Sequence, residues 1–271
     1  MLGGQASLCD VLRLLEQPVP DNSTLASPTA LSFRQQLSLN DLHFRYSPQT
    51  PWVLSGVSLQ IPRGSSVGFI GTTGSGKTTL LDIVMGLLTP TSGTLCVDGT
   101  LVDETNRRSW QMHIAHVPQA IYLADTSIAE NIAFGMPPES VDRGRVREAA
   151  QKAQIADTIE GWQHGYDSLV GERGIRLSGG QRQRIGIARA LYKQADVIVF
   201  DEATSALDNE TERAVMTAID SLGNGLTILI VAHRITTLKN CDQIVELDGG
   251  MVQRIGTYQD IIGCPAMTLP K

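Results

Sequence analysis

Apolar and polar residues alternate along this chain in several distinct rhythms. Leu8, Val11, Leu12 and Leu15 stand at i, i+3, i+4 and i+7, the spacing of a short amphipathic helix, which Pro18 and Pro20 close. Residues 21–30 are rich in Ser, Thr and Pro and read as a linker. Residues 37–46 and 53–61 alternate with period two and predict two strands of an antiparallel layer. An apolar run at 67–70 leads into a glycine-rich stretch, then into a helical pattern over 80–88 that 89–93 should stop. Short strands are expected at 94–97, ending in the Asp98-Gly99 turn, and at 114–117, ending at Pro118-Gln119. Residues 127–175 carry a helical pattern, with Ala149, Ala150, Ala153, Ile155 and Ala156 on one face. The unbroken apolar runs 197–200 and 228–231 suit strands buried on both faces of a parallel sheet. Residues 244–247 and 251–255, joined by Asp248-Gly249-Gly250, predict a closing hairpin. The expected class is α/β.

Composition narrows this picture without changing it. A chain of 271 residues can bury one large core, or one core and a subdomain. Its net charge of −6 offers no basic face for nucleic acid. No apolar run approaches the ~18 residues that cross a bilayer, and residues 1–10 lack the pattern of a secretion signal. Cys9, Cys96, Cys241 and Cys264 are scattered, which fits reduced thiols rather than a zinc site or a disulfide frame.

The chemistry starts at Gly71-Thr72-Thr73-Gly74-Ser75-Gly76-Lys77-Thr78, between an expected strand and an expected helix. That context turns a G-x-x-x-x-G-K-[ST] match into a phosphate site. Glycines let the backbone curl so that successive N–H groups point at an anion, and the helix adds unpaired donors. Lys77 brings a point charge to the outer phosphates, and the Thr78 hydroxyl suits Mg²⁺. The expected ligand is a nucleoside triphosphate.

Asp201 and Glu202 follow four apolar residues at a strand end, and His233 stands just beyond the next strand. Ligands of open α/β sheets sit at the carboxyl ends of strands, so these residues and the glycine-rich loop should share one edge. There Asp201 could hold Mg²⁺ and Glu202 could orient the attacking water. In Leu177-Ser178-Gly179-Gly180-Gln181, Ser178 and Gln181 have capping-box spacing, and two glycines leave the first turn uncovered. This is a second helix end shaped for an anion, far from the first in sequence.

Together these stretches resemble the nucleotide-binding domain of ATP-binding cassette (ABC) transporters over roughly residues 37–262. Leu177 to Gln181 is similar to the family signature, Gly71 to Thr78 to its Walker A, and residues 197–202 to its Walker B. Gln119 matches the Q-loop glutamine, Ser205-Ala206-Leu207-Asp208 the D-loop, His233 the switch histidine, and Tyr46 the aromatic that stacks on adenine. The resemblance implies a P-loop NTPase (RecA-like) core with a mostly parallel sheet, an N-terminal antiparallel β subdomain and a helical subdomain at about 120–190. It implies ATP hydrolysis, with Gly71, Thr72, Thr73, Gly74, Ser75, Gly76, Lys77, Thr78 and Thr79 around the phosphates and Tyr46 on the base. Thr78, Gln119 and Asp201 would hold Mg²⁺, while Lys77, Gln119, Glu202 and His233 would serve catalysis. Ser178, Gly179, Gly180, Gln181 and Asp208 would act in trans, on a second cassette of a homodimer or heterodimer holding two ATP.

Gly171-Glu172-Arg173-Gly174 is similar to the X-loop of exporters, whose cassette follows its membrane helices. Residues 1–36 would then be the end of a membrane-domain helix plus a linker, and 263–271 a tail. The partner would be the transmembrane domain of the same transporter, at the cytoplasmic face of the inner membrane. Ile121-Tyr122-Leu123, residues 125–132 and Asn240-Cys241-Asp242 look most like flippases of lipid-linked saccharides. Two other readings stay open: a soluble cassette ATPase acting on nucleic acid or ribosomes, and a separately encoded importer ATPase. The first usually has a coiled-coil insertion or two cassettes, and the leading helix and residues 171–174 weigh against the second.

Overall fold

The computed structural model describes residues 29–171, 174, 177–201, 216–217, 219, 225–232 and 235–263. The expected amphipathic helix at 8–15, nearly all of the expected linker, and residues 264–271 lie outside them.

Strands β1 (Gln36–Phe44) and β2 (Leu54–Pro62) pair antiparallel, with Leu37 opposite Ile61 and Leu39 opposite Leu59, all four buried. β1 pairs on its other side with β4 (Ser92–Val97), which turns back into β5 (Thr100–Leu101). Asp98 and Gly99 make that turn with positive φ, as a two-residue hairpin loop requires; Asp98 has φ 49° and Gly99 φ 80°. The larger sheet runs β10-β9-β3-β8-β7-β6. Its members are β3 (Ser66–Ile70), β6 (Ile114–Val117), β7 (Val197–Asp201), β8 (Thr227–Val231), β9 (Gln243–Asp248) and β10 (Met251–Gly256). All of its pairings are parallel except the closing β9–β10 hairpin.

The apolar runs have the burial their pattern implied. In β7, Val197 and Val199 face one hydrophobic cluster while Ile198 and Phe200 face the other. The first cluster lies between the two sheets and includes helix α1 (Lys77–Val84) and Trp110 of α2 (Arg107–Met112). Trp110 is fully buried, and its indole N–H donates to the Val84 carbonyl at 2.7 Å. Trp110→Ala would cost about 3–5 kcal/mol of stability. The second cluster packs α3 (Ile128–Ile132), α4 (Arg143–Lys152), α5 (Ala156–Glu160) and α6 (Gly179–Tyr192) on the opposite face. A last short helix, α7 (Tyr258–Gly263), follows β10.

Two details depart from the sequence pattern. Helix α1 stops at Val84, not at residue 88. Gly86 takes φ 68°, its N–H donates to Ile83 O, and the Leu87 N–H reaches back to Asp82 O. This is a Schellman ending, and it leaves Leu87 59% exposed. Leu31 and Phe33, which a boundary at 36/37 assigns to the linker, are buried against the first cluster.

Candidate functional site

The carboxyl ends of β3, β6, β7 and β8 come level through their register. Phe69 pairs with Val231, Asp201 with Val231, and Val117 with Phe200. Gly71 leaves β3, Gln119 follows β6 and Asp201 ends β7, so all three reach the same edge of the sheet. Glu202, Asp208 and His233 lie outside the described residues.

The loop at 71–76 is held tightly from outside. A Cβ on Gly71 would stand 2.1 Å from Leu247 O, and one on Gly76, at φ 98°, 2.9 Å from Val53 O. Only glycine fits at either position. Lys77 is 6% exposed and lies across the loop, its Nζ donating to Gly71 O and Thr72 O at 2.9 Å each. Helix α1 begins at Lys77 with no side chain capping it, so its first N–H groups remain available as anion donors. Thr73, Gly74, Gly76, Lys77, Thr78 and Thr79 line a recess of about 320 Å³ together with Val53. Ser75 is buried beneath this lining and Thr72 is exposed at the rim, its hydroxyl 3.4 Å from Asp248 Oδ1. Tyr46 is 63% exposed, which leaves its ring available for stacking. Its hydroxyl lies 3.2 Å from Thr79 Oγ1 and its ring stands edge-on to Phe44 at 5.0 Å, so it is anchored to the same helix end.

Thr78, Gln119 and Asp201 offer a hydroxyl, an amide oxygen and a carboxylate. Such a set suits a hard cation like Mg²⁺, which takes one or two carboxylates and completes its shell from water and phosphate. The sequence did not point to His116 or Asp82. His116 on β6 lies two residues from Ile114 and shares its sheet face with Val199 and Asp201. Desolvation pushes its imidazole below the ordinary histidine value, while the carboxylates of Asp201 and Asp82 pull the other way. Burial raises Asp82, with His116 opposing. Val53 was missed as well, because nothing local marks a valine before a strand as a lining residue.

The second helix end is complete in itself. Ser178 Oγ accepts from the Gln181 N–H at 3.2 Å, and Gln181 Oε1 accepts from the Ser178 N–H at 2.9 Å. Ser178 and Gly179 are exposed, whereas Gly180 and Leu177 are buried. Arg182 Nη1 donates to Leu177 O at 2.7 Å and fixes the approach to the helix. The N–H groups of Gly179 and Gly180 belong to the first turn, which the Ser178–Gln181 box leaves open. Residues after Gln119 key onto this helix. Ile121 Cδ1 fills the notch at Gly186, 2.5 Å from where a Cβ would be, and Leu123 Cδ1 packs at Gly174, ahead of the helix, at 2.8 Å from such a Cβ. Arg189 donates to Tyr122 O and Asn131 O and covers the Phe134 ring at 4.5 Å.

A family model described as "ABC transporter" matches residues 54–205. The ATP-dependent lipid A-core flippase of Saccharophagus degradans is 39% identical over 261 residues, which is 96% of this chain and 43% of that protein. The flippase of the same name from Cupriavidus metallidurans is 39% identical over 255 residues, covering 93% and 42%. A solved structure of a bacterial Atm1-family ABC exporter with ATP bound superposes with a TM-score of 0.81 at 32% identity, covering 96% of this chain and 45% of that one. The chain thus spans less than half the length of the relatives it matches. Among the described residues, no helix is long and apolar enough to cross a membrane.

Proposed function

The chain belongs to the ABC transporter family as its ATPase domain, and from that premise we propose that it powers an exporter or flippase by closing head to tail on a second cassette. The observation that supports this is the pair of dissimilar helix ends. One lies in a recess with Lys77, beside Tyr46, whose hydroxyl reaches Thr79, while the other is exposed, capped by its own Ser178–Gln181 box and carries no lysine. In this reading a phosphate held by the first end meets the second across a pair of chains.

In this reading Lys77 leaves the Gly71 and Thr72 carbonyls for the outer phosphates, and Tyr46 stacks on the base. Thr78, Gln119 and Asp201 would hold Mg²⁺, which supplies positive charge against the phosphates and against two chains of net charge −6. Glu202 accepts the proton of the attacking water, and His233 contacts the terminal phosphate. Ser178, Gly179, Gly180, Gln181 and Asp208 serve the neighbouring cassette. Loss of the terminal phosphate removes those contacts and opens the pair, a stroke that a membrane domain could use. The relatives' name, lipid A-core flippase, favours an amphiphile such as a lipid-linked saccharide as cargo and a place at a membrane.

Phosphate release tests this as a function of protein concentration. A two-chain site predicts a rate per chain that rises with concentration and then levels, and Glu202→Gln should abolish it while ATP binding persists. A rate per chain independent of concentration, with all protein monomeric, would leave an ATPase complete in one chain.

A further inference from the structure

Residues 29–33 are strapped to the domain. The Thr29 N–H donates to Thr105 O at 3.2 Å, and the Leu31 N–H donates to Ser109 Oγ at 2.9 Å. Leu31 and Phe33 are buried, with the Phe33 ring edge-on to Trp110 at 5.6 Å. His113 closes the strap, its Nε2 lying 2.7 Å from Leu31 O. On the other side of the ring, Nδ1 lies 2.5 Å from Asp196 Oδ2.

The hydrogen-bond roles at this ring are constrained. A backbone carbonyl can only accept, and an ionised carboxylate can only accept. Asp196 also accepts from Arg63 Nη2 on its other oxygen at 3.2 Å, the geometry of an ion pair. Both ring nitrogens therefore face acceptors, and only a ring carrying both protons can donate to both. A neutral ring has one N–H. If it keeps Asp196, the Leu31 carbonyl loses its donor; if it keeps Leu31, a lone pair is set against a carboxylate.

We propose that His113 is a proton-dependent positioning residue, which in its doubly protonated form clamps the incoming segment at Leu31 to Asp196 at the foot of β7. Its place in the fold gives the clamp a consequence. His113 ends α2 and immediately precedes β6, and its carbonyl accepts the N–H groups of Asp196 and Val197. One residue thus ties together the incoming segment and the starts of the two strands whose far ends carry Gln119 and Asp201. The ring lies against Trp110, with centroids 6.1 Å apart and planes 30° apart, which holds its orientation. The charged groups packed around it among the described residues are Asp196, Arg63 and Lys193, the last donating to the Gln111 and Ile114 carbonyls on either side of His113. The proposal depends neither on cargo nor on dimer formation.

The test uses the full chain labelled with ¹⁵N-histidine. Long-range ¹H–¹⁵N correlation reads the His113 nitrogens from about pH 5 to about pH 9, with His113→Gln assigning the signal. Amide exchange at Leu31, corrected for its intrinsic pH dependence, is followed over the same range. The expected result is that both nitrogens carry protons on the acid side, and that Leu31 protection falls roughly tenfold or more as the ring loses one. Both curves should share a midpoint. His113→Gln and Asp196→Asn should each flatten the protection curve, the latter because a neutral ring can then satisfy both partners. Leu31 protection that stays flat through the titration of the ring would overturn the proposal, as would a single-proton tautomer throughout. The wild-type measurements decide the matter even if a variant fails to fold.

Discussion

The two helix ends that this chain offers to anions are made in opposite ways. Helix α1 is entered from Gly76 in a left-handed conformation, has no side-chain cap, and its loop is enclosed by Val53 and Leu247. Its donors are left open, and Lys77 lies folded over the loop. Helix α6 begins at Ser178, is satisfied by a reciprocal capping box, and stands exposed. The first end keeps its N–H donors free of any side-chain cap. The second is already a stable helix terminus, and the N–H groups of Gly179 and Gly180 are what it has left to give. Under the proposed reading, the difference teaches that one sequence can encode the two halves of a site with different demands. The half that grips needs glycine at strained positions and a buried lysine, whereas the half that docks needs only a good cap and no Cβ in the way.

Substitutions that should separate the halves follow, in descending order of expected effect. Lys77→Ala removes the charge from the gripping half, and ATP affinity by calorimetry should fall by about 2–3 kcal/mol, roughly 30–150-fold. An unchanged affinity would mean the loop is not the phosphate site. Tyr46→Ala should weaken ATP and ADP alike by ~1–3 kcal/mol, since stacking does not sense the terminal phosphate. A loss confined to ATP would assign Tyr46 another task. Ser178→Ala deletes the cap of the docking half, and should lower the stability of the isolated chain by about 1 kcal/mol in denaturant unfolding. Nucleotide affinity per chain should stay unchanged, and a matching loss of ATP affinity in the monomer would erase the distinction between the halves.

Much of this was legible in the residues themselves, because the signals are local. The runs at 197–200 and 228–231 can only be buried on both faces, and Asp98-Gly99 and Gly249-Gly250 can only turn. Ser178 with Gln181 predicts the capping box that forms. What stayed hidden depends on neighbours distant in sequence. Leu87 and Leu88 continue the apolar pattern of α1, yet Gly86 ends the helix before them. Leu31 and Phe33 sit beside a Pro- and Ser-rich stretch, and their partners Ser109, Trp110 and His113 come from about 80 residues away. His116 joins the site through strand register, and Val53 through the fold of the segment before β2, and no local pattern announces either.

The central claim is that the gripping half of one chain meets the docking half of another across ATP. Size-exclusion chromatography with light scattering on Glu202→Gln tests it most directly, because that change should keep bound ATP intact. With ATP and Mg²⁺ the variant should elute as a dimer, and with ADP, or with Mg²⁺ chelated, as a monomer. Adding Ser178→Arg should abolish the dimer while each monomer still binds ATP. A Glu202→Gln chain that stays monomeric at saturating ATP, or a Ser178→Arg chain that still dimerises, would contradict the account.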